Sequence, residues 1–299
     1  MNTSELDSIR INFSTDDLFL LNFALALIMY GVALELRWKD FNYLANNPKG
    51  FFLGIFSQFL ALPCLTFLLV TWISPPPSIA LGMFMVAACP GGNVSNFLSA
   101  FAKGNTALSV SLTAFSTAFS ILLTPFNFAF WAGLHEPSSV LLKEIRLDIS
   151  DVFFTIGIIL GIPMILGIMT RQLRSKLADQ LMKFLQPLSI LIFAAIIILA
   201  FLGNFELFLQ LVGLIFLWVF SHNLLALGTG FLTAKIGKLP LPDQKTLTIE
   251  TGIQNSGLGL VLIFTYFQGL GGMAIIAAWW GIWHLISGLI LAAFWRTIA

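Results

Sequence analysis

Glu250 poses the first chemical question, because it is a carboxylate followed by strongly apolar sequence. An ionised carboxylate at membrane depth costs several kcal/mol unless something compensates it, so it marks an ion or substrate pathway by default. No Lys or Arg lies between residues 246 and 254 to pair with it. Its neighbours are Thr246, Thr248, Thr251, Gly252, Gln254, Asn255, Ser256 and Gly257. Hydroxyls, amides and freed carbonyls are oxygen ligands, the set that suits a small hard cation such as Na⁺. A second polar run, Cys89-Pro90-Gly91-Gly92-Asn93-Val94-Ser95-Asn96, offers the same chemistry. Ser109 and Thr113 stand four apart and share one helical face. Each feature has a plainer reading. Glu250 could snorkel from a helix end, Pro90-Gly91-Gly92 could be a packing kink, and Gln58, Ser109 and Thr113 could bond between or along helices.

Composition decides what kind of element positions these groups. Of 299 residues, 58% are hydrophobic and 10% charged, against about 25% charged in soluble domains. The fold class expected is an all-α membrane protein embedded in a lipid bilayer. A crossing helix needs roughly 20 residues. Apolar runs between charged or Gly/Pro-rich breaks predict nine transmembrane helices, at 18–34, 50–73, 78–102, 104–131, 149–172, 186–203, 206–234, 243–268 and 271–295. Residues 1–17 are polar and acidic, without a signal peptide's basic start and cleavage site, and read as a tail ahead of a membrane domain at 18–299.

Lys and Arg set the orientation. With the N-terminus outside, the inner side holds Arg37, Lys39, Lys49, Lys103, Arg171, Arg174, Lys176, Lys183, Lys235, Lys238, Lys245 and Arg296. The outer side keeps only Arg10, Lys143 and Arg146. That asymmetry places the C-terminus in the cytoplasm of a multi-pass protein of the cell membrane, the inner membrane if the source is bacterial. The longest polar connection expected is residues 132–150.

Two spans are interrupted. The third breaks at Cys89–Asn96, where proline removes a backbone donor and two glycines relax the chain. The eighth carries Glu250 and Gly252 through Gly257 at mid-span. Unwound backbone at membrane depth survives only inside protein or beside a water-filled cavity, where its carbonyls can hold ions. The preceding spans also echo one another: Phe56-Ser57-Gln58 matches Phe220-Ser221-His222. Five spans separate the copies, an odd number, so they form an inverted repeat, a pointer to the binding site of a secondary transporter.

Other functions find little support. A net charge of +1 gives no basic surface for nucleic acid. Cys64 and Cys89 sit in apolar runs, and His222 and His284 lack metal-ligand spacing. No zincin motif, nucleophile elbow or phosphate-binding loop is present, which argues against an enzyme or an ATP-driven pump.

Ala88–Asn96, Ala107–Thr113 and Ile249–Gly257, in that order, resemble the bile acid:sodium symporter family, and the likeness runs from about residue 20 to 296. The resemblance implies two discontinuous crossing helices, a core domain and a panel domain. Panel helices would fall at 18–73 and 149–203 and core helices at 78–131 and 206–295, with 50–73 assigned to the core as well. It implies two Na⁺ ions and no organic cofactor. The first ion would take Ser95, Asn96, Ser109, Thr113 and Glu250; the second Gln58, Glu250 and Gln254, with carbonyls of Thr251 and Ile253. Pro90, Gly92, Asn93, Asn255, Ser256 and His284 would face the substrate.

Two departures qualify the likeness. Ten-span bacterial members carry an additional N-terminal helix, and this chain starts at what resembles their second. The last span reads His284-Leu285 where members commonly place Asn after the His, which weakens the case for bile acid itself. The expected function is sodium-coupled symport of an amphipathic organic anion by alternating access. The oligomeric state is left open, and a monomer would suffice. The alternatives are proton coupling through Glu250, or an oxyanion exporter using Cys89. A receptor or intramembrane enzyme is disfavoured.

Overall fold

The computed structural model describes residues 7, 23, 26–145, 149–202, 205–267 and 269–298, with fewer side chains described between 149 and 214. The expected tail, apart from Asp7, and the start of the first expected span lie outside the described residues.

Residues 26–33 are helical and precede α1 (Trp38–Asn46), followed by α2 (Pro48–Ile73), α3 (Pro77–Ala88), α4 (Asn93–Phe101), α5 (Thr106–Leu134) and α6 (Glu136–Glu144). The second half holds α7 (Ile149–Leu173), α8 (Ser175–Leu202), α9 (Phe205–Ile236), α10 (Leu241–Gly252), α11 (Ser256–Tyr266) and α12 (Gly271–Ile298). No strand forms among the described residues. Pro48–Ile73, Thr106–Leu134, Ile215–Ile236 and Gly271–Ile298 are each long and apolar enough to cross a membrane.

Local chemistry explains the boundaries that matter. α3 and α10 both begin directly after a proline, Pro76 and Pro240, and both carry a second at the first helical positions, where a missing N–H is harmless. Asn105 caps α5 by accepting from the Leu108 N–H at 3.1 Å, and Asn255 caps α11 by accepting from Leu258 at 3.0 Å.

Inside α2 the ladder loosens into a π turn at Ser57–Ala61, where the Leu62 N–H reaches back to the Ser57 carbonyl. Pro63 cannot donate to the preceding turn and its ring crowds it, which accounts for the slack. The turn buries Ser57 and Gln58.

Three sequence expectations shift in detail. The connection at 132–150 contains α6, because Pro137 opens a helix whose Leu141 and Leu142 are buried. The connection after residue 34 likewise contains α1. α8 starts at Ser175 rather than 186, since a charged stretch can be helical beyond the apolar layer.

Small residues set the close approaches. A Cβ on Gly82 of α3 would lie 2.9 Å from the Met273 Cα of α12, and one on Gly230 of α9 would lie 2.7 Å from the Thr248 Cα of α10. Backbones this near gain van der Waals contact that larger side chains would prevent. Phe84, Leu260, Phe264 and Trp280 fill the core between α3, α11 and α12. Phe52, Trp72, Leu122 and Ile158 are exposed, as a lipid-facing surface requires.

Candidate ion and substrate site

The two interruptions meet. α3 stops at Ala88 and α4 starts at Asn93; α10 stops at Gly252 and α11 starts at Ser256. The segments between them pair antiparallel: the Gly92 N–H donates to the Ile253 carbonyl at 3.0 Å, and the Asn255 N–H donates to the Pro90 carbonyl at 2.9 Å. Each break thus satisfies backbone groups freed by the other, as buried irregular backbone requires.

Glu250 lies at this crossing, in the last turn of α10 and 6% exposed. Ser95 Oγ donates to its Oε1 at 2.6 Å, Ser109 Oγ also donates to Oε1, and Thr113 Oγ1 lies 3.1 and 3.0 Å from the two carboxylate oxygens. Asn96 Oδ1 stands 2.9 Å from Ser109 Oγ and 3.1 Å from Thr113 Oγ1. The five side chains assigned to the first ion from sequence therefore converge, although they come from α4, α5 and α10. Among the described ion pairs none involves Glu250. A buried carboxylate ringed by hydroxyls can exchange donation from those hydroxyls for a shared cation, to which the same oxygens turn their lone pairs.

Gln58 and Gln254 face each other. Gln58 Nε2 donates to Gln254 Oε1 at 2.7 Å and to the Cys89 carbonyl at 2.9 Å; Gln254 Nε2 donates to Gln58 Oε1 at 3.2 Å and to the Thr251 carbonyl at 2.7 Å. Gln58, Glu250 and Thr251 border a cavity of about 10 Å³, close to the space one water needs. The Ile253 carbonyl is engaged by Gly92 and is absent from that lining.

The structure amends the internal match. By role, the counterpart of Gln58 is Asn223 rather than His222. Gln58 donates to the carbonyl where α3 ends, and Asn223 Nδ2 donates to the Gly252 carbonyl where α10 ends, also at 2.9 Å. His222 Nε2 instead lies 2.8 Å from Thr66 Oγ1. The π turn rotates Gln58 relative to a straight helix, which a residue-by-residue match of the two Phe-Ser pairs misses.

Gly92, Asn93, Asn255, Ser256 and His284 border a larger cavity of about 180 Å³, which Ile28 and Val32 also line. The N-termini of α4 and α11 both open there, which favours negative charge. His284 Nδ1 is buried without a hydrogen-bond partner. Pro90 does not line this cavity; its carbonyl is held by Asn255. Cys89, on which an oxyanion exporter would depend, is fully buried.

Two further residues matter more than their sequence context suggests. Gly91 relaxes the backbone, and in addition a Cβ there would lie 2.8 Å from Glu250 Oε2. Asn223 stands beside the more conspicuous His222; its signal in the sequence is an amide one turn from a small-residue run.

An apolar helical bundle in which two interrupted helices cross at a buried, oxygen-ringed carboxylate defines an ion-coupled membrane carrier. Residues 22–211 match the sodium bile acid symporter family. The chain is 35% identical over 271 residues to the uncharacterized sodium-dependent transporter YocS of Bacillus subtilis, covering 91% of this chain and 81% of that protein. It is 28% identical over 275 residues to the probable chloroplastic sodium/metabolite cotransporter BASS1 of Arabidopsis thaliana, covering 92% of this chain and 66% of the relative. It is 28% identical over 263 residues to sodium/bile acid cotransporter 5 of Rattus norvegicus, covering 86% of this chain and 58% of the relative. The chain belongs to the sodium bile acid symporter family. It is a multi-pass membrane transporter, not an enzyme, and its family and relatives point to sodium as the coupling ion.

Proposed function

We propose that the protein imports an organic anion by alternating access, using two Na⁺ ions bound on either side of Glu250. The convergence of Ser95, Asn96, Ser109 and Thr113 on a buried carboxylate that forms no ion pair among the described residues is the observation that carries this reading. The second ion would lie near the one-water cavity bordered by Gln58, Glu250 and Thr251, with Gln254 beside it and the Ile253 carbonyl at the edge. Sharing one carboxylate makes the two ions mutually dependent, because the charge each neutralises is common.

The anion would sit where α4 and α11 begin, against Gly92, Asn93, Asn255, Ser256 and His284, with Pro90 holding the crossover from behind. A cavity of about 180 Å³ is smaller than the roughly 300 Å³ at which pockets for drug-sized ligands begin. The reading thus favours a compact carboxylate or sulfate over a sterol-sized amphiphile. In the proposed nine-span topology the N-terminus is outside, the crossing helices belong to a core, and 18–73 and 149–203 supply the moving panel. Each inward Na⁺ then gains about 2.3 kcal/mol per 100 mV of inside-negative potential. Counterflow of small carboxylates and organic sulfates in sealed vesicles, with Na⁺ replaced by choline, tests this. Uptake that requires sodium supports it; uptake that follows a pH gradient and ignores sodium transfers the role of Glu250 to a proton.

A further inference from the structure

A third cavity, of about 40 Å³, lies between the helical segment that ends at residue 33 and the start of α4. Its wall includes Asn96 and Thr113, whose oxygens also belong to the Glu250 cluster, and across from them Glu35. Glu35 is partly buried, accepts a hydrogen bond from Asn93 Nδ2 at 3.1 Å and takes part in no ion pair among those described. Arg171 lies close enough for its charge to act on Glu35, but its hydrogen bonds go to the Leu34 carbonyl and, at 2.7 Å, to Asp179, which Arg37 also approaches at 3.8 Å. Asp40 shares the cavity but accepts from the Arg37 N–H at 3.1 Å at the start of α1, which leaves Glu35 as the carboxylate without such a backbone partner.

We propose that Glu35 is a transit ligand for sodium, a carboxylate the ion meets between the basic, inner side of the membrane and the Glu250 cluster. The proposal rests on the sodium reading of Glu250. An ion leaving that cluster must exchange side-chain oxygens for water in a space that holds only about three waters, fewer than a full hydration shell. A carboxylate on the wall supplies a replacement oxygen during partial hydration and raises the local cation concentration. Asn93 borders both this cavity and the larger one assigned to the anion, so its bond to Glu35 places the two exit routes at one contact. A transit group is kinetic: it speeds entry and release together and leaves affinity at the deep site nearly unchanged.

The test uses the full chain in nanodiscs, with sodium alone as ligand and choline as control. Stopped-flow tryptophan fluorescence gives the rates, and sodium-dependent melting gives the equilibrium. Glu35→Gln should slow sodium association and dissociation together by about tenfold, with Kd within about twofold of native. Glu35→Asp should restore most of the native rate, and Glu35→Ser carries the same test if the glutamine variant does not fold. Native rates in the neutral variants overturn the proposal. So does a shift in Kd well beyond twofold, with one rate changed and not the other, or a change in sodium-free melting with native rates, because either is the mark of a structural role. Native protein that ignores sodium in both measurements overturns the Glu250 reading and this proposal with it, whereas failure in the variants alone leaves Glu250 untouched.

Discussion

A Cβ on Gly91 would stand 2.8 Å from Oε2 of Glu250. The missing side chain in one interrupted helix and the carboxylate in the other are therefore one feature. Gly91→Ala should displace the carboxylate from its hydroxyls and weaken apparent sodium affinity by at least about tenfold, with overpacking costing about 1–3 kcal/mol of stability. Gly92→Ala is the control: its nearest heavy atom would be the Gln254 carbonyl oxygen at 3.4 Å, an ordinary contact. Sodium titrations of melting temperature should separate the neighbouring glycines.

Thr113 Oγ1 touches both carboxylate oxygens and Asn96. Thr113→Val keeps nearly the same volume without the hydroxyl. Losing one ligand costs about 1–3 kcal/mol, or roughly 5- to 150-fold in apparent sodium affinity. Thr113→Ser should stay close to native in the same titration.

Gln58 and Asn223 play parallel parts at the ends of α3 and α10, but only Gln58 borders the one-water cavity near Glu250. Gln58→Ala should lower the Hill coefficient for sodium toward one. Asn223→Ala strips partners from the Gly252 carbonyl and the Ser287 hydroxyl. It should cost about 1–3 kcal/mol of stability while the Hill coefficient holds.

Much of this site was legible because membrane chemistry makes polar side chains conspicuous. Glu250 without a nearby cation and Pro90-Gly91-Gly92 inside an apolar run announced both breaks. Ser109 and Thr113 were not legible unaided, since hydroxyls on a membrane helix ordinarily bond to their own turn; family likeness promoted them, and α5 carries them to the carboxylate. The π turn around Gln58 is not legible in the sequence because its cause, Pro63, lies beyond the residue it re-aims. α6 resembles a polar connection in sequence because its charges mask a buried Leu141-Leu142 edge. Glu35 is hidden for a similar reason: next to Arg37 and Lys39 it is one more charge at a membrane boundary.

Away from the crossover, Arg171 hydrogen-bonds Asp179 at 2.7 Å and holds that carboxyl below its ordinary value of 3.8. A depressed carboxyl stabilises the fold above its unfolded pKa, and that contribution disappears as pH falls through the lower folded value. Asp179→Asn should therefore lower the melting temperature at neutral pH, and the gap from native should close in strong acid. A gap that stays constant with pH would assign the effect to packing.

The most direct measurement of the central claim is sodium-dependent melting of Glu250→Gln beside native protein. The glutamine keeps the shape and can still accept from Ser95 and Thr113, but it removes the charge on which both proposed ions depend. Native protein should gain stability with sodium over choline, by an amount that grows with concentration as ligand linkage requires. The variant should fold, insert and show no such gain. A Glu250→Gln protein stabilised by sodium as fully as the native chain would contradict the account.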